Sequence, residues 1–381
     1  MDTSQVGLLL DQGENTNIEF KSANLRAEAL AREIVAFANA SGGVILIGVE
    51  DNKQVRGLDR NKNYEEWCMN IARNNITPQI RPTYSETMVD HKILGILEVP
   101  KGTDKPYQTH DGKFFIRVGS TNRMASVHEL MRLFQQSGVF HFDSTPVEHS
   151  SVKNLNFHKI ATYFEPYELN FELLSEAEKI HLLTNTDILK EEGQLSVAGL
   201  LIFGITPQKY LLNASVSLAR FAGTDITDEL LDKQNIEGNL DVQIDTTTAI
   251  IRNHLIRAST IVGNKRIEQD VYPDKVLREL IVNACCHRNY AIFGSKIRVF
   301  IFDNRLEVIS PGRLPNTVTI EKLKAGVSYA VNPVIVKFME NLNYIDKLGR
   351  GLPMVWAEAR KRQREVMFEE IGEEFKVTLF Y

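Results

Sequence analysis

A chain of 381 residues, 43% of them hydrophobic and 24% charged, exceeds what one core usually supports, so two or three globular domains are expected. A net charge of −5 excludes a protein coated overall for nucleic acid and confines any such binding to local patches. With three cysteines and no Cys-x-x-Cys or His-x-x-x-His pair, a structural zinc site of the usual spacing is excluded too, and no run approaches the roughly 20 apolar residues of a membrane span.

The first apolar run, Val6-Gly7-Leu8-Leu9-Leu10, is too short for a signal segment and is closed by Asp11, so the cytoplasm is the expected location. Gly13-Glu14-Asn15-Thr16-Asn17-Ile18-Glu19-Phe20-Lys21 follows. On a strand, residues two apart share a side, so Glu19 and Lys21 project together while Phe20 points into the core. As a bare pattern, Glu-x-Lys is equally a surface ion pair worth at most about 1 kcal/mol. Leu25 to Asn39 places Ala27, Leu30, Ala31, Ile34, Phe37 and Ala38 at helical spacing, with Arg26, Glu28, Arg32 and Glu33 elsewhere. Asn39 to Gly43 stops that helix, Val44 to Val49 reads as a buried strand, and Glu50 to Gln54 turns it back, which sets Asp51 at a strand end.

Strands are expected over Lys92 to Val99 and Lys113 to Val118, separated by the Pro100 to His110 loop, and a helix over Ser126 to Gln136. The first domain, mixed α+β, closes near residue 140. Phe140 to Phe171 reads as a polar connector with a helix around Asn156 to Tyr163; then come a helix at Ser196 to Phe203, a strand at Ala214 to Phe221 and a long amphipathic helix from Gly238 to Ser259. Lys275 to His287 is a helix with Glu279 and Asn283 on one face. A strand Lys296 to Phe302, a turn at Asp303-Asn304-Arg305, a strand Leu306 to Ile309, Ser310-Pro311-Gly312 and the segment Lys347-Leu348-Gly349-Arg350-Gly351-Leu352 complete the chain's signals. The basic run Arg360 to Arg364 reads either as a local nucleic-acid-binding patch or as a solvated helix face, the second being favoured.

The N-terminal residues resemble the nuclease-bearing core of Schlafen proteins and the related prokaryotic AlbA-type DNA-binding domain: Glu, four residues, Glu-Phe-Lys, then Ala-Phe-Ala-Asn, Gly-Gly and Ile-Gly-Val with two acidic residues after it. The resemblance implies Glu14, Glu19 and Asp51 as ligands of Mg²⁺ or Mn²⁺, with Glu50 in reserve, and Lys21 steadying the scissile phosphate. In this reading Glu19 faces solvent. The substrate would be RNA, plausibly tRNA-like, or DNA, with Arg73, Arg81 and Arg117 as the nearest basic candidates. The middle region is similar to the segment that joins AlbA-type domains to a domain named after the end of RecG-type helicases. The C-terminal order is similar to the GHKL ATPases, in which a Glu-x-x-x-Asn helix supplies the general base and a Mg²⁺ ligand, and glycines wrap the phosphates.

By that resemblance Glu279, Asn283, Gly312, Gly349 and Gly351 would hold ATP; by the residues alone, Glu279 and Asn283 are equally a helix-surface pair and the glycines a helix-start turn. Ser310 stands where those ATPases carry an adenine-reading aspartate, so weak or no ATP binding and no ATPase activity is expected. His287 and Arg288 are expected at a domain or subunit contact of a homo-oligomer. The expected architecture is α+β: a Schlafen-like domain over 1–140, a linking region over 141–264 and a degenerate GHKL-like α/β sandwich over 265–381. Two functions remain open, a metal-dependent endonuclease suited to cell defence and a non-catalytic DNA-binding transcriptional regulator, with a nucleotide sensor as a third.

Overall fold

The computed structural model describes residues 3–255, 258–262, 265–269, 271–315, 318–346 and 349–381; for 3, 4, 258–262 and 265–269 it describes the backbone alone. The chain packs as two compact units, Met1–Phe140 and His141–Tyr381. Both are built of helices with mixed sheets, an α+β architecture.

The first unit opens with helix α1 (Thr3–Gln12), strand β1 (Ile18–Lys21), helix α2 (Ala27–Asn39) and strand β2 (Gly43–Ile47). β1 and β2 pair in parallel, the arrangement that a helical crossover permits. Helix α3 (Tyr64–Asn74) and strand β3 (Ile76–Thr77) lead to the hairpin of β4 (Thr83–Val89) and β5 (Lys92–Val99). Strand β6 (Gln108–Thr109) returns to β3, β7 (Phe115–Val118) pairs with β8 (Thr121–Met124), and helix α4 (Val127–Gln136) follows. The main sheet runs β1-β2-β5-β4.

Alternation along these strands feeds two apolar layers. Val6 of α1 packs with Ile18, Phe20, Leu46 and Ile96 on one face. On the other face, Leu30, Ile34 and Phe37 of α2 pack with Ile45, Ile47, Tyr64 and Ile71. Glu19 and Lys21 pair in register with Ile45 and Ile47, so the period of two sets them on the α2 face. The glycine pair after α2 has a steric cause. Gly42 has φ +81°, and a Cβ there would lie 2.7 Å from Val99 O and Lys101 N; one on Gly43 would lie 2.3 Å from the Phe37 ring.

The second unit begins with helices α5 (Phe157–Phe164), α6 (Glu176–Asn185) and α7 (Val197–Phe203). Strands β9 (Val216–Ala222) and β10 (Glu229–Ile236), helix α8 (Leu240–His254) and a small hairpin of β11 (Ala258–Val262) and β12 (Lys265–Gln269) come next. Helix α9 (Asp274–His287), strands β13 (Ile297–Ile301) and β14 (Arg305–Pro311), helices α10 (Ile320–Lys324), α11 (Pro333–Asn341) and α12 (Gly351–Lys361), and strands β15 (Val366–Ile371) and β16 (Glu374–Phe380) complete it.

Its six strands run β10-β9-β13-β14-β16-β15, with β9 and β13 parallel and the other neighbours antiparallel. This pairing corrects the expected division at residue 264. β9 and β10 share one sheet with β13 to β16, so 141–264 and 265–381 bury a common core instead of forming a linker and a separate domain. Nor is 140–171 a polar connector, since Phe142, Leu155, Ile160, Phe164 and Phe171 are buried. The long helix expected to reach Ser259 ends at His254; residues 256 and 257 lie outside the described residues, and Ser259 is already in β11, a run rich in β-branched residues. No helix among the described residues is long and apolar enough to cross a membrane.

Candidate functional site

Two places gather the residues singled out in the sequence. The first lies between β1, α2 and the β7–β8 hairpin. Glu19 is 5% exposed, which corrects the expectation that it faces solvent. Its Oε1 accepts from Lys21 Nζ and its Oε2 from Arg117 Nη1, both in short contacts. Arg117 also donates from Nη2 to the carbonyls of Asn15 (2.6 Å) and Ile18 (2.8 Å), and its guanidinium lies 4.8 Å from the centre of the Phe37 ring.

A second carboxylate, Glu33 of α2, closes the cluster. It is 3.5 Å from Lys21 Nζ and 3.9 Å from Arg117 Nη1, and it accepts from Asn122 Nδ2. Burial first, and the charge of Glu19 next, hold the Glu33 carboxyl above its ordinary range against the pull of Lys21, Arg32 and Arg117. Burial also disfavours the Lys21 ammonium, but the Glu19 hydrogen bond and the charges of Glu33, Glu19 and Glu14 outweigh it and raise its pKa. The cluster is a charge-compensated lock that ties the hairpin to the sheet.

The structure thus brings Glu19 and Lys21 together and sets Glu14 near enough for its charge to act on Lys21, while Asp51 is exposed in the turn after β2. Glu14 Oε1 accepts from the Phe20 backbone N–H at 3.0 Å. Glu50 begins the same turn, accepting from Lys53 N at 2.8 Å. With both Glu19 oxygens bonded to cations, this arrangement does not fit a divalent metal, and no group of three or more His, Cys, Asp or Glu among the described residues could hold one. Of the basic candidates, Arg117 is internal, while Arg73 and Arg81 are exposed.

Glu33 and Arg117 were missed as partners of Glu19. Positions 30, 33, 34 and 37 form one stripe at helical spacing, which is the signal that Glu33 belongs to the buried face of α2. Asn39, expected only to stop the helix, is a buried anchor: its Nδ2 donates to Tyr107 O (2.8 Å) and Phe115 O (2.9 Å), and its Oδ1 accepts from Tyr107 N (2.7 Å).

The second place is a cavity of about 500 Å³ in the C-terminal unit, walled by α9, β14, β16, the start of α12 and residues of 312–315 and 318–331. Glu279, Asn283, Gly312, Gly349 and Gly351 all line it; Lys347 and Leu348 lie outside the described residues. Asn283 Nδ2 donates to Glu279 Oε1 at 2.6 Å and to Glu279 O at 2.7 Å. Burial raises the Glu279 pKa, the Asn283 hydrogen bond lowers it, and the nearby charge of Asp346 raises it. Gly351 packs so close that a Cβ would lie 1.7 Å from Glu279 Oε1.

Ser310 also lines the cavity and donates from Oγ to Ala284 O at 3.1 Å. His287 lines it as well, whereas Arg288 is buried and bonds the carbonyls of Asn213, Ile292 and Ser295. In the basic run, Arg362 pairs with Glu358 and Arg364 bonds Val271 O, so only part of it is a solvated face.

Comparison with known proteins gives two family matches. Residues 14–126 match the family described as "Schlafen, AlbA_2". Residues 294–379 match "Putative ATP-dependent DNA helicase recG C-terminal", a segment holding Ser310, Gly312, Gly349 and Gly351 but starting after Glu279 and Asn283. Among solved structures, the DIP2311 protein from Corynebacterium diphtheriae is similar in fold, at 21% identity and a TM-score of 0.50, over 99% of this chain and 79% of that one. The N-terminal domain of a RecG-related protein from Nitrosomonas europaea matches at 24% identity and a TM-score of 0.24, over 31% of this chain and 92% of its own. Two family models thus match the chain, "Schlafen, AlbA_2" towards its N-terminus and the recG C-terminal model towards its C-terminus.

Proposed function

We propose that this protein binds nucleic acid through its Schlafen, AlbA_2 domain and acts as a non-cutting regulator. The kinship of both domains with nucleic-acid proteins supports the ligand class. The observation that carries the non-cutting role is the occupation of both Glu19 oxygens by Lys21 and Arg117, with no group of three or more metal-ligating side chains among the described residues. Phosphate contacts fall to exposed cations instead: Arg73 and Arg81 pair with no carboxylate among the described residues. Such contacts release counterions, so affinity falls with salt whatever the base sequence.

The test is titration of the purified protein with a tRNA and with single- and double-stranded DNA at several salt concentrations, in Mn²⁺, Mg²⁺ or EDTA. Binding is expected to survive EDTA without strand cleavage, and Arg73→Ala or Arg81→Ala is expected to lower the salt slope by about one. The competing endonuclease reading requires Glu14, Glu19 and Asp51 to gather round a metal. Metal-dependent cleavage lost in both Glu14→Gln and Asp51→Asn establishes it and removes the proposal.

A further inference from the structure

The cavity of the C-terminal unit has mostly apolar walls and one carboxylate, Glu279, with no cation beside it among the described residues. No Lys, Arg or His nitrogen among the described residues lies within ion-pair distance of Glu279, whose one side-chain partner is the Asn283 amide. Neighbouring cations are engaged elsewhere: Lys275 with Glu358, Arg350 with Asp346, and Arg278 over the Tyr344 ring. Glu279, Asn283 and His287 follow one another at four-residue spacing, so all three face the cavity from one side of α9. The His287 ring makes no hydrogen bond among the described residues, and burial pushes its pKa down to about 4, so it is neutral, with one donor and one acceptor open.

The glycine-rich start of α12 is where a phosphate would be cradled. Here that place is taken by the Glu279 carboxylate, against which Gly351 packs without room for a Cβ. A polyphosphate without a bound cation would bring negative charge against Glu279. An ammonium supplies a counter-charge that this desolvated carboxylate does not find among the described residues, and a cavity of about 500 Å³ is of the size that holds small organic ligands.

We propose that this cavity binds a small organic amine on an apolar body, its ammonium paired with Glu279, its second polar group on His287, and its apolar part against Val308, Val327 and Val377. The inference stands apart from the nucleic-acid reading, since it concerns residues of the other unit.

Calorimetric titration of the full chain with tryptamine and phenylethylamine, each beside its neutral alcohol (tryptophol, phenylethanol), and with Mg·ATP tests it. The amines are expected to bind, with the alcohols about tenfold weaker or more, the size of one hydrogen bond to a charged group. Glu279→Gln is expected to erase the difference between amine and alcohol while leaving the melting temperature unchanged or higher. Val327→Trp, at the half-exposed rim, is expected to weaken amine and alcohol alike. Equal binding of amine and alcohol by the parent protein, failure of both amines to bind at millimolar concentration, amine binding untouched by both variants, or ATP binding tighter than the amines and dependent on Glu279 each overturns it.

Discussion

At the scale of single residues, Glu19 shows how burial changes what a carboxylate does. A solvent-facing ligand could be removed without cost to the fold. Glu19 instead neutralises Arg117, whose side chain is wholly buried, and its loss leaves Glu33 at 3.9 Å as the nearest remaining carboxylate. Removing one partner of a buried pair strands the other charge, so Glu19→Ala is expected to destabilise the first unit by about 3 kcal/mol. Asp51→Ala, in an exposed turn, is expected to change stability by less than about 0.5 kcal/mol. Urea unfolding of both variants measures the difference. Equal midpoints for Glu19→Ala and the parent protein would mean that the cluster does not hold the hairpin.

At the scale of elements, helix ends are secured by residues far away in sequence. The N-terminus of α11 has no cap from its own Asn332, whose side chain donates instead to Cys286 O (2.9 Å) and Arg288 O (2.7 Å) at the end of α9. Asp143 takes the capping role, its Oδ2 accepting from Val334 N (2.7 Å) and Ile335 N (3.0 Å). Burial nevertheless raises the Asp143 pKa to about 6, against the two N–H groups and His141. A carboxyl whose folded pKa lies above its unfolded value binds more protons in the native state, so its contribution is complete below pH 3.8 and is lost as pH rises through about 6. Asp143→Asn keeps an acceptor oxygen for α11 and removes the titration. The variant is expected to flatten stability between those two pH values by on the order of 2 kcal/mol relative to the parent protein. Denaturant midpoints across that window decide, and parallel curves for the two proteins refute the assignment.

At the scale of the whole molecule, the six-stranded sheet decides which pieces of the chain can stand alone. β13 is an interior strand because β9 lies beside it, with Ile297 opposite Val216 and Ile301 opposite Arg220. A fragment of residues 265–381 would leave β13 as an open edge and strip α9 of its neighbour α8. That fragment is expected to aggregate or to melt without a cooperative transition, whereas residues 141–381 are expected to unfold cooperatively. Calorimetry on the two fragments reads this directly, and a sharp transition in 265–381 would restore the division at residue 264.

By itself the sequence determined the local order: a helix read from Leu25 to Asn39 and found from Ala27, its Gly-Gly stop, strand Lys92 to Val99, the helix carrying Glu279 and Asn283, and the resemblances that the two family matches repeat. These depend on neighbours within a turn or two, where periodicity and steric limits act. It also indicated that Glu279, Asn283 and three glycines belong together, because the family resemblance supplied the long-range part. Only the tertiary structure decided what surrounds Glu19. Arg117 is 98 residues away, and spacing tells which face a side chain takes but not which distant charge arrives opposite it. The same reason governs the sheet of the second unit, where the alternation at Ala214 to Phe221 marks a strand while its pairing with β13, some eighty residues on, is settled by which apolar faces the folded chain can cover together.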